Sequence, residues 1–226
     1  MKISLVTDIG QKRSNNQDFI NKFDNKQGIT LVILADGMGG HRAGNIASEM
    51  TVTDLGREWV NTDYTELSQI RDWFLISLEN ENKKVYELGQ TDEFKGMGTT
   101  VEALAIVDNN VIYAHVGDSR IGLLRHGEYQ LLTSDHSLVN ELVKAGQLTE
   151  EEAAKHPQKN IITQSIGQAN PVEPDLGVQM LEENDYLIIN SDGLTNMITN
   201  DEIVEILNQD KNLDEKNKEL VSLAND

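Results

Sequence analysis

The chain has 226 residues, 38% of them hydrophobic and 25% charged, the composition of a folded globular protein of one to one and a half average domains. Nineteen Lys and Arg against 38 Asp and Glu leave a net charge of −19, which repels nucleic-acid backbones and anionic membrane surfaces. The absence of cysteine excludes disulfides, thiolate zinc sites and a cysteine nucleophile, and makes the cytoplasm the default compartment. The first residues hold no apolar stretch of signal-peptide length, and no run approaches a membrane span.

In chain order, alternating or continuous apolar runs predict strands at Ile3–Thr7 and Thr30–Ala35. Helical spacing follows over Ala43 to Val60 and again from Glu66 to Leu88, where Ile70, Phe74, Leu78, Val85 and Leu88 fall near one face. Further strands are predicted at Thr99–Val107, Val111–Val116, Ile121–Arg125 and Tyr129–Thr133, separated by short polar breaks that suggest an antiparallel meander. A helix from Leu138 to Ala145 is closed by Gly146, and Thr149 with Glu152 forms a capping box for the next. A strand at Tyr186–Asn190 and helices near Asn200–Leu207 and Asp214–Leu223 complete the pattern. Pro occurs only at 157, 171 and 174, and no linker or repeat divides the chain, so residues 1–226 read as one domain. Grouped strands with paired helices indicate an α+β fold.

Three aspartates share one setting. Asp36, Asp118 and Asp192 each close an apolar run and have a glycine beside them. A buried strand fixes a carboxylate, and glycine lets backbone or ligand come close. Converging carboxylates repel one another unless a hard cation neutralises them, and oxygen donors suit Mg²⁺ or Mn²⁺. The plainer alternative is that each is a turn residue. The stretch Asp36-Gly37-Met38-Gly39-Gly40-His41-Arg42-Ala43-Gly44 also follows a strand and opens a helix, as a dinucleotide loop does. Its third fingerprint glycine falls at Arg42, however, and no acidic strand end follows about twenty residues on. Arg13 is a candidate phosphate clamp or a plain surface charge. His41 is a candidate proton donor, whereas His115 and His136 read as packed histidines.

Together these stretches resemble the metal-dependent protein phosphatase family that includes protein phosphatase 2C, in its bacterial serine/threonine branch. The resemblance rests on Thr7–Gly10 with Arg13–Asp18, Ala35–His41, Gly98–Thr100, Val116–Arg120, Ser134–Ser137, Asn160–Thr163 and Ser191–Leu194, in that order. It implies a sandwich of two antiparallel β-sheets flanked by helices. It also implies two or three Mn²⁺ or Mg²⁺ ions per chain, held by Asp36, the Gly37 carbonyl, Asp118 and Asp192. Arg13 matches the phosphate-binding arginine, Asp18 an acid that orients water, and residues 137–159 the flap beside the active site. The implied reaction is hydrolysis of phosphoserine or phosphothreonine on proteins by a metal-bridging hydroxide, with no protein nucleophile. Implied partners are phosphoproteins and a cognate bacterial serine/threonine kinase, and a monomer is the default.

Two features depart from the family. Met38 stands where animal members carry a histidine proposed as general acid. The chain stops at Asp226, before the family's Gly-Gly-x-Asp-Asn stretch and final strand. The expectation is therefore a C-terminally incomplete domain short of roughly fifteen to twenty residues. The alternative function is a catalytically impaired, phosphatase-like binding module.

Overall fold

The computed structural model describes residues 1–39 and 43–226. Its larger sheet has strand order β1 (Asp18–Asp24), β2 (Thr30–Met38), β4 (Val101–Val107), β5 (Asn110–Val116) and β8 (Asp175–Met180), with the short β3 (Gly98–Thr99) also on β2. The smaller sheet has order β7 (Glu128–Leu131), β6 (Arg120–Arg125), β9 (Tyr186–Asn190). Every pairing is antiparallel. Among the described residues the helices are α1 (Ala43–Trp59), α2 (Leu67–Leu88), α3 (Leu138–Lys144), α4 (Glu150–Ala154), α5 (Asp192–Thr195), α6 (Asn200–Leu207) and α7 (Leu213–Asn225).

The continuous apolar run of β2 is explained by burial on both faces. Leu31, Ile33 and Ala35 meet the helical layer, where α1 contributes Ala43, Ala47, Val52, Leu55 and Trp59 and α2 contributes Ile70, Phe74, Leu78 and Val85. Val32 points the other way and joins Leu104, Val111 and Ile121 between the two sheets. The outer face of the smaller sheet packs Leu124 on Ile203, Ile206, Leu207 and Leu220 of α6 and α7. The layers are thus helix, sheet, sheet, helix, a sandwich flanked on both sides. Capping boxes close the starts of α2, α4, α6 and α7.

Three sequence expectations change. Ile3–Thr7 forms no strand: Ile3 and Leu5 pack on the inter-sheet cluster, and the Ser4 carbonyl accepts from the Asn217 side chain. The alternation there records an extended segment lying along the sandwich, without a ladder partner among the described residues. The strands β1 and β8 escape the pattern because both are sheet edges with polar, partly exposed residues. The predicted meander is divided between sheets after β5. The Gly117 N–H donates to His136 Nδ1 at 3.2 Å and the Gly117 carbonyl accepts from the His136 backbone N–H at 2.7 Å, so the chain leaves the larger sheet instead of turning back along it.

Candidate active site

The site is built around the end of β2. Asp18 lies opposite Asp36 in the β1–β2 ladder. The next residue, Gly37, has no room for a side chain, since a Cβ there would stand 2.0 Å from the Gly44 carbonyl oxygen. A Cβ on Gly44 would meet Gln17 Nε2 at 2.2 Å. This mutual absence of side chains lets the first turn of α1 press against β2 beside the carboxylate. Gln17 fastens the same corner: its carbonyl accepts from the Gly37 N–H at 3.0 Å and the Ser48 hydroxyl at 2.6 Å.

Asp118 sits in the crossover from β5 to β6, and Asp192 opens α5 directly after β9. With Arg13, Asp18, Asp36 and Gly37 they line one cleft of about 1450 Å³ between the sheets. Burial pushes the Asp36 carboxyl up to about 9, and the negative charges of Asp18, Asp192 and Asp118 push the same way. The hydrogen bond between the two carboxyls favours ionisation of Asp18 and protonation of Asp36. Asp18 is itself raised by burial, against the Ser191 hydroxyl, which donates to its Oδ2 at 2.6 Å, and against the positive charge of Arg13. Burial, then Asp192 and Asp135, raise Asp118 to about 6.

Four acids line this cleft with one guanidinium, and the charges of Asp18, Asp118 and Asp192 raise Asp36, so the cleft carries negative charge that its own cation does not neutralise. All the donors are hard oxygens, so the set fits divalent Mn²⁺ or Mg²⁺. The six candidate residues singled out from the sequence therefore share one cleft. His41, the candidate proton donor, lies outside the described residues, as do Gly40 and Arg42. Asn160 and Ile162, just beyond the 137–159 segment, reach the same cleft.

A second cluster lies behind Asp118. His115 Nε2, 3.1 Å from the Ser134 carbonyl, donates to it, while Nδ1 is 2.7 Å from Glu102 Oε1. Burial raises Glu102 well above the carboxylate range and lowers His115, so a protonated Glu102 donates to a neutral imidazole. His136 stacks on His115 with ring centroids 4.5 Å apart and meets Asp175 at 3.3 Å through Nε2. Possible ligand atoms of His115, His136 and Asp175 fall within 4.8 Å of one another. They do not suit a cation. His136 Nδ1 accepts the Gly117 N–H, so its Nε2 carries the proton, and His115 Nε2 is likewise a donor. The cluster is a hydrogen-bonded prop, in line with the packed roles expected for both histidines.

Thr99, Thr100, Ser119 and Ser191 carry no role that their residue types alone reveal. All four are buried and hydrogen-bonded to the site's acids or to their neighbours. Their signal in the sequence is membership of the stretches Gly98–Thr100, Val116–Arg120 and Ser191–Leu194, which does not by itself give a role.

Comparison with known proteins follows the same outline. Residues 10–217 match the protein phosphatase 2C family. Protein phosphatase PhpP of Streptococcus pneumoniae is 62% identical over 225 residues, covering 100% of this chain and 92% of the relative. A serine/threonine phosphatase structure from S. agalactiae superposes with a TM-score of 0.98 at 75% identity, covering 99% of this chain and 93% of that one. The catalytic domain of the serine/threonine protein phosphatase PstP, in complex with two manganese ions, superposes with a TM-score of 0.79 at 30% identity, covering 96% of this chain and 88% of that one.

Proposed function

The chain belongs to the protein phosphatase 2C family and is a metal-dependent protein-serine/threonine phosphatase; we propose that its reaction runs at the Asp36 cluster, with two or three Mn²⁺ or Mg²⁺ ions. The proposed ligands are Asp36, the Gly37 carbonyl, Asp118 and Asp192. The observation that carries this reading is the convergence of Asp18, Asp36, Asp118 and Asp192 around one cleft, with Asp36 raised to about 9. The surrounding negative charge that helps to raise Asp36 also attracts a divalent cation, which must displace the proton in order to bind. When bound, the ions supply Lewis-acid chemistry, which makes water nucleophilic near neutral pH.

The protein's own groups do the rest. Arg13 lines the cleft and presents a planar fork that can hold two phosphoryl oxygens. Asp18, fixed by Ser191, is placed beside Asp36 to orient the attacking water and take its proton at a carboxylate oxygen. The bond broken is between phosphorus and the Ser or Thr oxygen, and no side chain is consumed. By family resemblance residues 137–159 form a flap beside the site; Asn160 and Ile162, which follow that segment, line the cleft.

Phosphoproteins are the substrates, and a serine/threonine kinase is the reaction partner that must generate them. We place both in the cytoplasm, where ATP-dependent phosphorylation takes place; no described helix is long and apolar enough to cross a membrane. Phosphate release from a phosphothreonine peptide tests the proposal. Turnover should vanish in chelator and return with Mn²⁺ or Mg²⁺, and metal-independent turnover would refute it.

A further inference from the structure

On the side of β2 that faces β3 and β4 the ladder is interrupted at Ala35 and Asp36. Gly37 pairs with Thr99 and Leu34 with Glu102, so the common register places Asp36 opposite Thr100. In a regular antiparallel ladder such a pair exchanges two backbone hydrogen bonds. Only one is made here: the Thr100 N–H donates to the Asp36 carbonyl at 2.9 Å. The Asp36 N–H donates instead to the Thr100 hydroxyl, also at 2.9 Å. The Thr99 hydroxyl lies 2.9 Å from the Asp36 carbonyl and 3.1 Å from the Thr100 carbonyl.

The same Thr100 oxygen reaches the other side of the site. It is 2.9 Å from the Ser119 hydroxyl, and Ser119 follows Asp118. Thr100 and Ser119 are 1% and 0% exposed, so water does not compete for either. Gly117 closes the fit: at φ +118° it takes a backbone conformation that disfavours side chains, and a Cβ there would stand 2.5 Å from Thr100 Cγ2.

We propose that Thr100 is a positioning residue that sets the direction of Asp36 and, through Ser119, locks its spacing to Asp118. A single buried hydroxyl thereby joins the larger sheet to the crossover that starts the smaller one. The inference rests on the reading of Asp36 and Asp118 as metal ligands. Groups that hold ligands in place typically govern metal affinity by roughly 10–100-fold.

Thr100→Val keeps the side-chain shape and lets the Asp36 N–H return to the residue-100 carbonyl, which restores a regular ladder. Thr100→Ser keeps the hydroxyl. Isothermal titration of chelator-treated protein with Mn²⁺ should show affinity weakened about tenfold or more in Thr100→Val, with Thr100→Ser close to wild type. Thermal melting without metal should be similar in all three. Unchanged Mn²⁺ affinity in Thr100→Val overturns the proposal, as does equal weakening in Thr100→Ser. If Thr100→Val melts far below wild type, Ser119→Ala decides, because it leaves both Asp36 bonds in place: weaker Mn²⁺ binding supports the link and unchanged binding refutes it. Asp36→Asn serves as the control. If it also binds Mn²⁺ normally, the metal assignment itself fails; if it alone loses binding, only the role of Thr100 falls.

Discussion

Asp18 stands directly across the β1–β2 ladder from Asp36, and their mutual hydrogen bond lowers Asp18 while it raises Asp36. Two acids opposed in a partly buried ladder would destabilise it if both were charged. The Ser191 hydroxyl on Asp18 and the charge of Arg13 favour ionisation of Asp18, and so leave the proton on its partner.

Cation binding should therefore expel that proton. With Asp36 raised to about 9, Mn²⁺ affinity should climb up to about tenfold per pH unit below that value and level off above it. Calorimetric titration at pH 7 in buffers of different ionisation enthalpy should report release of about one proton. A buffer-independent binding enthalpy contradicts this account of the Asp18–Asp36 pair.

Arg13 lines the cleft and its positive charge reaches Asp18. Arg13→Ala should reduce kcat/KM about 10–100-fold, the loss of one or two charge-assisted hydrogen bonds. Arg13→Lys should recover only part, because an ammonium cannot engage two oxygens in one plane. Unchanged kinetics in Arg13→Ala would reduce the residue to a surface charge.

The approach of α1 to β2 depends on Gly37 and Gly44. Gly37→Ala puts a methyl 2.0 Å from the Gly44 carbonyl oxygen and 2.9 Å from the Gln17 carbonyl oxygen, both of them backbone atoms. The expected result is destabilisation of about 1–3 kcal/mol or more, seen as a lower melting temperature together with weakened metal binding. A wild-type melting temperature would show that α1 can shift without consequence.

Much of this arrangement was legible in the sequence. β2, α1 and α2 carry long, periodic apolar patterns because they face cores on one or both sides, and Asp36, Asp118 and Asp192 stood out because each closes such a run. The edge strands β1 and β8 bury too little to leave a pattern. The break in the meander depends on Gly117 bonding to His136, nineteen residues away, in place of the next strand. The tethers Thr100, Ser119 and Ser191 are small hydroxyl residues recruited by tertiary contact. Ser191 reaches Asp18 across a separation of 173 residues, which no local pattern records.

Stability should also depend on pH through Glu81, a residue of α2 far from the cleft. It is 1% exposed, its Oε1 has no hydrogen-bond partner among the described residues, and burial raises it to about 7 from 4.5. Lys84 at 3.2 Å favours the charged form but is half in water, so burial prevails. Between these two values the folded chain holds a proton that the unfolded chain has released. Stability therefore falls as pH rises from about 4.5 to about 7, by on the order of 2–4 kcal/mol in full. Glu81→Gln should flatten that slope and raise the denaturation midpoint at pH 8, with little change at pH 4.5. An identical pH profile in the variant would exclude Glu81 as its source.

The central claim is that Asp36 anchors the metals that carry out phosphate release. Asp36→Asn removes the charge while keeping size, and it resembles the protonated acid already present, so the fold should persist. The decisive measurement is turnover of a phosphothreonine peptide by Asp36→Asn at saturating Mn²⁺, with melting temperature recorded alongside. The account predicts a folded protein whose kcat falls at least about 100-fold. A folded Asp36→Asn variant with turnover near wild type would contradict it.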